Sequence, residues 1–322
     1  MTTQTRFFLV VRPWYRTWRL VWLLLWLPLP VCAWNAAGHR LVAAIAWDQL
    51  DDADRSEIAQ LLHAHPDYAR WLKRAGNKEW SLKETTRVAF IESSTWPDDI
   101  RKDRRFYDAD RDQATELIPG FPDMDRHRDW HFVNRPLDGT PPDPSLRDAA
   151  RGQLDRQLEV LPVLFGSRDA TLRDRAYFLP WLVHLVGDAH QPLHACAHPE
   201  TEDIQEDRIS VTHAYRSRPQ STTLHAFWDD LPGPSWLRGE QLDMAYSVLL
   251  ARYPQPVPSP SKEWIDESWQ IARRYAYPPK TGSQYEITAD FMEQSRDIAY
   301  RRITEAGYRL ADLLRKTLRP KP

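Results

Sequence analysis

The chain has 322 residues, with 43 Lys+Arg against 45 Asp+Glu and a formal net charge of −2, so it is not a strongly basic protein built to coat duplex nucleic acid. Hydrophobic residues make up 42% and charged residues 27%, which suits one large folded domain or two ordinary ones and excludes wholesale disorder. Glycine is scarce at 11 residues, and neither G-x-G-x-x-G nor G-x-x-x-x-G-K-[ST] occurs, which removes dinucleotide and P-loop chemistry.

Residues 1–33 contain Arg6, Arg12, Arg16 and Arg19 and no acidic residue, followed by an apolar run from Leu20 to Ala33 that Pro28 and Pro30 interrupt. The run falls short of the ~20 residues that span a bilayer. Val31-Cys32-Ala33 presents small residues before Trp34, as a signal-peptidase site does. The expectation is a signal peptide over 1–33, cleavage between Ala33 and Trp34, and a single domain over 34–322 that is secreted or periplasmic. An uncleaved anchor is the alternative; a lipoprotein site at Cys32 fits less well, because Val31 stands where a smaller residue is usual. Cleavage leaves 39 basic against 45 acidic residues, a net charge of −6, and Cys196 as the lone cysteine. With no intrachain disulfide, stability must come from the core or from metal. Asn35, Asn77 and Asn134 start no N-x-[ST] sequon, which suits bacterial export.

Helical periodicity dominates the rest. Helices are predicted over 38–50, 51–63, 83–94, 146–165, 172–189, 237–252 and 262–276. Ile303, Ala306, Leu310, Leu313, Leu314 and Leu318 form the apolar stripe of a long C-terminal helix. No segment alternates as a sizeable sheet would, so the fold class is all-α. Proline-rich connections at 117–123, 136–144 and 253–260 mark no domain linker. Tyr177 to Leu185 is apolar nearly all round and reads as a helix at the centre of the domain.

The chemistry-bearing segment is His184-Leu-Val-Gly-Asp188-Ala-His190-Gln-Pro-Leu-His194. His184 and Asp188 are four apart and share a helix face, and His194 follows just past Pro192. The same spacing recurs at His225 and Asp229, within Leu224-His-Ala-Phe-Trp-Asp229. Imidazoles and carboxylates are zinc ligands, and this spacing brings two of them to one ion. One such pair is commonly a hydrogen-bonded surface pair. Two pairs plus an extra histidine on buried helices argue for metal, because desolvating so many ionisable groups alone would cost several kcal/mol per charge. Three further segments carry candidates: Trp34-Asn-Ala-Ala-Gly-His39, Trp96-Pro-Asp98-Asp-Ile-Arg101 and His131-Phe132-Val-Asn134.

In this order the segments resemble the zinc-dependent single-strand nucleases of the S-one/P-one type, down to a closing Ala306-Gly-Tyr-Arg-Leu-Ala311 helix. The resemblance implies an all-α, single-domain helical bundle of the type shared by zinc-dependent phospholipase C and single-strand nucleases, with three Zn²⁺ ions. By resemblance Asp98, His131, His184 and Asp188 hold the first, and His194, His225 and Asp229 the second. Trp34, through its free amine and carbonyl, with His39 and a bridging Asp188, holds the third. The implied activity is hydrolysis of phosphodiester bonds in single-stranded DNA and RNA and of nucleotide 3′-phosphates, giving 5′-phosphate products. Asp98 would orient or activate the attacking water, Arg101 would stabilise charge on phosphorus, Phe132 would stack on a base and Asn134 would hydrogen-bond its edge. The substrate is the expected partner; no protein partner, no membrane association after cleavage and a monomeric state are implied.

Two departures bear on substrate. Where the family often has Gly-Gly-Asn, this chain reads His198-Pro-Glu-Thr-Glu-Asp-Ile-Gln-Glu-Asp207, whose five acids would repel a long polyanion and favour short nucleotides. Thr223 stands where Asn is usual before Leu224-His225. A zinc-dependent phospholipase C is the nearest alternative, but its last ligand is typically Glu, against Asp229 here. A non-catalytic secreted zinc-binding protein is the second; closed four-ligand structural sites differ from the open three-residue set of His194, His225 and Asp229.

Overall fold

The computed structural model describes residues 34–76, 80–141, 151–197, 208–211, 220–281, 284–285 and 287–319; the leader expected over 1–33 and the acidic run at 198–207 lie outside them. The described residues are mostly helical, as predicted. In chain order come α1 (Ala36–Gln49), α2 (Asp52–Ala64), α3 (Tyr68–Ala75), α4 (Leu82–Ser93), the short α5 (Trp96–Ile100), a 3-10 turn (Arg128–His131), α6 (Leu154–Phe165) and α7 (Leu172–Asp188). A second 3-10 turn (Pro192–His194), α8 (Leu224–Asp230), α9 (Gly239–Arg252), α10 (Ser261–Ile271), a π-helical turn (Ala272–Ala276) and α11 (Ala289–Leu318) complete the set. Among the described residues the strands form two antiparallel pairs, β1 (Arg208–Val211) with β2 (Gln220–Thr223) and β3 (Lys280–Thr281) with β4 (Gln284–Tyr285), besides isolated bridges such as Val133 with Gly152. Among the described residues no helix is long and apolar enough to cross a membrane.

The helix starts follow local chemistry. Ser81 with Glu84, and Thr171 with Asp174, form capping boxes that satisfy the orphan N–H groups opening α4 and α7. Asn35 caps α1 by accepting from the N–H groups of Ala37 and Gly38, and Thr223 caps α8 at Ala226. The sequence prediction missed α3 and α5, which are only 8 and 5 residues long. It also merged the π-helical turn into α10. The helix predicted over 146–165 is broken at Gly152 and Gln153, where Gly152 takes φ 78° and bridges to Val133, and its second part begins at Leu154.

Helix α7 is the central element. From Tyr177 to Asp188 only Phe178 reaches the domain's periphery, and α1, α2, α5, α6 and α11 pack around it. The C-terminal helix α11 lies along α1, burying Ile303, Ala306, Leu310, Leu314 and Leu318, while Leu313 is only partly covered. Gly307 sets the separation: a Cβ there would sit 2.5 Å from Cβ and Cγ2 of Ile45 and 3.1 Å from the Val42 carbonyl.

A buried ion pair locks the opposite side of α1. Arg40 grips Glu92 of α4 through Nε–Oε1 (2.9 Å) and Nη2–Oε2 (3.2 Å) and donates from Nη1 to the Ser235 carbonyl (2.8 Å). Arg238, just before α9, adds Nε–Oε1 at 2.8 Å. Glu92 is 2% exposed, so this carboxylate tolerates burial only because two guanidinium groups share it. Its neighbours in sequence are His39, one residue before Arg40, and the Ser93-Ser94 turn leading to Asp98.

Overpacking the α1–α11 seam should be costly. Gly307→Ala is expected to lower unfolding stability by about 1–3 kcal/mol, read from the denaturant midpoint; an unchanged midpoint would mean that the two helices are not held this closely.

Candidate metal centre

Three groups of buried imidazoles and carboxylates converge, each with ligand atoms close enough to hold a metal ion: His39 with Asp98 and His184; His131 with His184 and Asp188; and His194 with His225 and Asp229. These are the eight side-chain ligands expected from the sequence, drawn from α1, α5, both 3-10 turns, α7 and α8. Asp188 is the hub. Its Oδ2 lies 3.1 Å from His131 Nδ1 and 3.3 Å from His184 Nε2, and its Oδ1 lies 3.4 Å from His39 Nε2. Asp98 Oδ1 stands further off, 3.9 Å from His131 Nδ1 and 4.0 Å from His184 Nε2. In the remaining group, His194 Nε2 faces His225 Nε2 at 3.0 Å, and His225 Nε2 faces Asp229 Oδ2 at 3.6 Å.

Backbone carbonyls decide which nitrogens are bare. His184 Nδ1 lies 2.7 Å from the Ser94 carbonyl, and His194 Nδ1 lies 2.6 Å from the His131 carbonyl. A carbonyl only accepts, so each Nδ1 carries the proton and each Nε2 turns its lone pair toward the cluster. Both ring nitrogens of His39, Nε2 of His131 and Oδ1 of Asp188 are buried without a hydrogen-bond partner among the described residues. The Nε2 lone pairs of His184 and His194, converging with buried carboxylate oxygens, fit a cation, and a mixed His/Asp set without cysteine suits zinc.

The titration behaviour has the same cause. Burial pushes His184 down to about 3, and drives His39 and His131 well below the usual imidazole range, with neighbouring imidazoles adding to the effect. Burial raises Asp98 to about 6 against the opposing charge of Arg101. Asp188 and Asp229 are pushed well above the carboxylate range, again by burial first.

The supporting residues include several that the sequence reading left unassigned. Gln191 donates from Nε2 to Asp229 Oδ1 (2.8 Å) while its Oε1 accepts from the Leu193 N–H, so one amide caps the second 3-10 turn and orients a carboxylate. His190, inside the same motif, faces away from the cluster. Its Nδ1 donates to the Val186 carbonyl (2.7 Å), and its Nε2 meets Arg309 Nη1 (2.9 Å), which also pairs with Glu267. The arginine of the closing Ala306–Ala311 motif thus braces the turn that carries Asp188. Gly187 permits the close approach of α1, since a Cβ there would lie 2.8 Å from His39 Nδ1. His39 itself stacks on His184 with ring centroids 3.8 Å apart. Trp34 is fully buried, and the next residue ties the segment to α8 by donating from Asn35 N to the Asp229 carbonyl (3.0 Å).

Around the cluster, Arg101 is 9% exposed, donates from Nη1 to Asp98 Oδ1 (3.2 Å), and keeps its Nε buried without a partner among the described residues. Phe132 and Asn134 are half-buried on an extended segment whose backbone bonds to His194, Arg151 and Leu154. Gly152, at φ +78°, seats Phe132: a Cβ there would lie 2.6 Å from its Cδ2 and 2.1 Å from its carbonyl oxygen. The 3-10 turn bearing His131 begins at His127 in the left-handed region (φ 44°), stacked on Trp130 at 3.7 Å. Burial disfavours the charged form of this imidazole, but Asp123 and Asp125, one on each ring nitrogen, outweigh it and raise the group to about 9.

These shifts fix a sign for metal removal. Above about pH 7 the ligand-group imidazoles are neutral in folded and unfolded chains alike and add little pH dependence, whereas His127, raised to about 9, contributes stability that is lost as pH rises through 9 with or without metal. Asp188 and Asp229 hold their protons longer folded than unfolded, so they make the metal-free fold lose stability as pH rises above the ordinary carboxylate range. Melting curves of chelator-treated protein should fall more steeply above pH 7 than those of zinc-loaded protein; a metal-free protein whose Tm rises there would contradict the assignment.

The S1/P1 Nuclease family model matches residues 34–319, nearly the whole described chain and beginning at the expected new N-terminus. No curated relative matches the chain. A helical fold, buried His/Asp groups able to hold metal, and a match of this extent agree, and the chain belongs to the S1/P1 nuclease family, hydrolases that cut phosphodiester bonds.

Proposed function

We propose that the protein is an exported, zinc-dependent phosphoesterase that hydrolyses phosphodiester bonds of single-stranded DNA and RNA and the 3′-phosphates of nucleotides, leaving 5′-phosphate products. The observation that carries this reading is the convergence of buried imidazole nitrogens with Asp188 and Asp229, beside a buried arginine. His131, His184, Asp98 and Asp188 would hold one zinc, His194, His225 and Asp229 a second, and His39, Asp188 and the Trp34 backbone a third. When bound, such ions acidify water and neutralise phosphoryl charge.

The chain's own groups then divide the work. Asp98 sits at the edge of the cluster, its side chain 14% exposed, and is the carboxylate best placed to take a proton from an attacking water. In the metal-free protein burial raises this carboxylate to about 6 against the opposing charge of Arg101. Arg101, pinned by Asp98 through one nitrogen and free at Nε among the described residues, offers its remaining N–H groups to the negative charge that grows on phosphorus. Phe132 gives a ring face for a base next to the scissile bond, and stacking of about 1–3 kcal/mol per base requires that base to be unpaired. That requirement is the physical root of a single-strand preference. Asn134, two residues on, reaches the base edge.

Removal of the leader has a chemical role in this reading. An α-amino group with a pKa near 8 can lose its proton and bind zinc, whereas the amide nitrogen of an unprocessed Ala33–Trp34 bond cannot.

The central assay compares the mature protein with and without chelator on adenosine 3′-monophosphate, short single strands and phosphatidylcholine; hydrolysis of the lipid alone would overturn the nuclease reading. Asp98→Asn should keep the fold and lower kcat about 10²–10⁴-fold; full activity in a folded variant would remove Asp98 from the chemistry. A protein that retains Ala33 should bind one zinc fewer by elemental analysis, and full activity with an undiminished metal content would refute the role of the free amine.

A further inference from the structure

The π-helical turn Ala272–Ala276 interrupts the end of α10. Such turns are rare and concentrate at functional sites. Ala272 and Ala276 face inward and are fully buried, while Arg273, Arg274 and Tyr275 are exposed. The turn packs on the 3-10 turn that carries His194. The Ala276 carbonyl accepts from the Trp228 indole (2.9 Å) on α8, the helix of His225 and Asp229. The opposite flank leads to the Phe132–Asn134 segment. Arg273 lies 4.6 Å from the centroid of the Trp269 ring and Arg135 lies 4.9 Å from the same centroid, while Trp269 Nε1 donates to the Pro136 carbonyl (3.2 Å).

An arginine ladder built on one indole therefore runs from the wall of the second ligand group to the residue after Asn134. Arg135 commits one N–H to Asp266 (2.5 Å). No ion pair among the described residues uses Arg273 or Arg274; Asp138 is the carboxylate whose field Arg273 reaches. Stacking on Trp269 holds two guanidinium groups extended before any ligand arrives, which lowers the entropy lost when they bind.

We propose that Arg273, Arg274 and Tyr275, together with Arg135, form a track for the phosphates and one base of a single strand beyond the scissile bond, so that oligonucleotides are preferred over mononucleotides. The inference rests on the phosphoesterase reading above and adds the residues that would favour strands over mononucleotides at that site. It runs against the expectation drawn from the acidic residues at 200–207, because the arginines supply the opposite charge beside the ligand groups.

The test uses zinc-loaded mature protein with single-stranded oligothymidylate of about twelve residues, a length that covers a typical single-strand site, and adenosine 3′-monophosphate. Arg273→Ala with Arg274→Ala should lower the ratio of kcat/KM for the strand to that for the mononucleotide about tenfold, and reduce the slope of log KM against log salt by ~1.4, as loss of two phosphate contacts requires. Arg273→Lys with Arg274→Lys should restore most of the salt slope, which a merely structural role would not do. Gln at both positions serves if the alanine pair fails to fold. An unchanged ratio, or a ratio that falls with no change in slope, overturns the track. Wild-type protein that hydrolyses neither substrate overturns the phosphoesterase reading, and the track falls with it.

Discussion

Burying Asp188 is the constraint around which the domain is arranged. A carboxylate taken wholly out of water costs several kcal/mol unless partners surround it, and this one is met by imidazoles from α1, from a 3-10 turn and from its own helix. Each contact dictates something larger. His39 can reach Asp188 only if α1 crosses α7 at a residue with no side chain, and Gly187 is that residue. His131 can reach it only if the chain reverses sharply beforehand, and His127 supplies the reversal in a left-handed conformation held by two aspartates.

A layer of contacts that touches no ligand atom holds this arrangement from behind. Glu92 fastens α1 to α4 through Arg40, and Arg238 joins the same carboxylate. On the far side Arg302 donates to the carbonyls of Trp264 and His190, while Ser268, one of its other partners, donates to the Ala189 carbonyl. Together with Arg309 and Glu267 these residues clamp the peptide units that follow Asp188. The stiffness matters because the histidines take their tautomers from single carbonyl oxygens, and a carbonyl displaced by an ångström would no longer choose the nitrogen.

Much of the candidate site was legible in the sequence because the residues that come together in it fall on regular spacings: His184 with Asp188 and His225 with Asp229 on helix faces, the others in short motifs. The helical class followed from apolar periodicity in long segments such as 303–318. What remained hidden had no side-chain signature. The Ser94 and His131 carbonyls orient ligands, yet backbone atoms leave no mark in sequence. Helix α5 is 5 residues long, too short to display a period, and the π-helical turn differs from α-helix by one residue per turn. Gln191 and His190 stood inside the recognised motif, but only coordinates separate the one that orients Asp229 from the one that faces Arg309. The pairing of Arg40 with Glu92 spans 52 residues, and nothing local announces it.

The described residues contain one cysteine, Cys196, buried and with its thiol pushed up to about 12, so no sulfur bridge ties them together. The ligand groups join distant points instead: His131 and Asp188 are 57 residues apart, His184 and Ser94 are 90 apart, and the Trp34–Asn35 segment meets α8 across 195 residues at Asp230. A cation held between such points closes long loops, as a disulfide would, and the entropy removed from the unfolded chain grows with loop length. Topologically, then, an ion held by these groups would be a removable cross-link. With no disulfide among the described residues, metal supply would take the place that oxidising conditions hold for cystine-rich proteins, and would set when the chain becomes durable as well as when it becomes active.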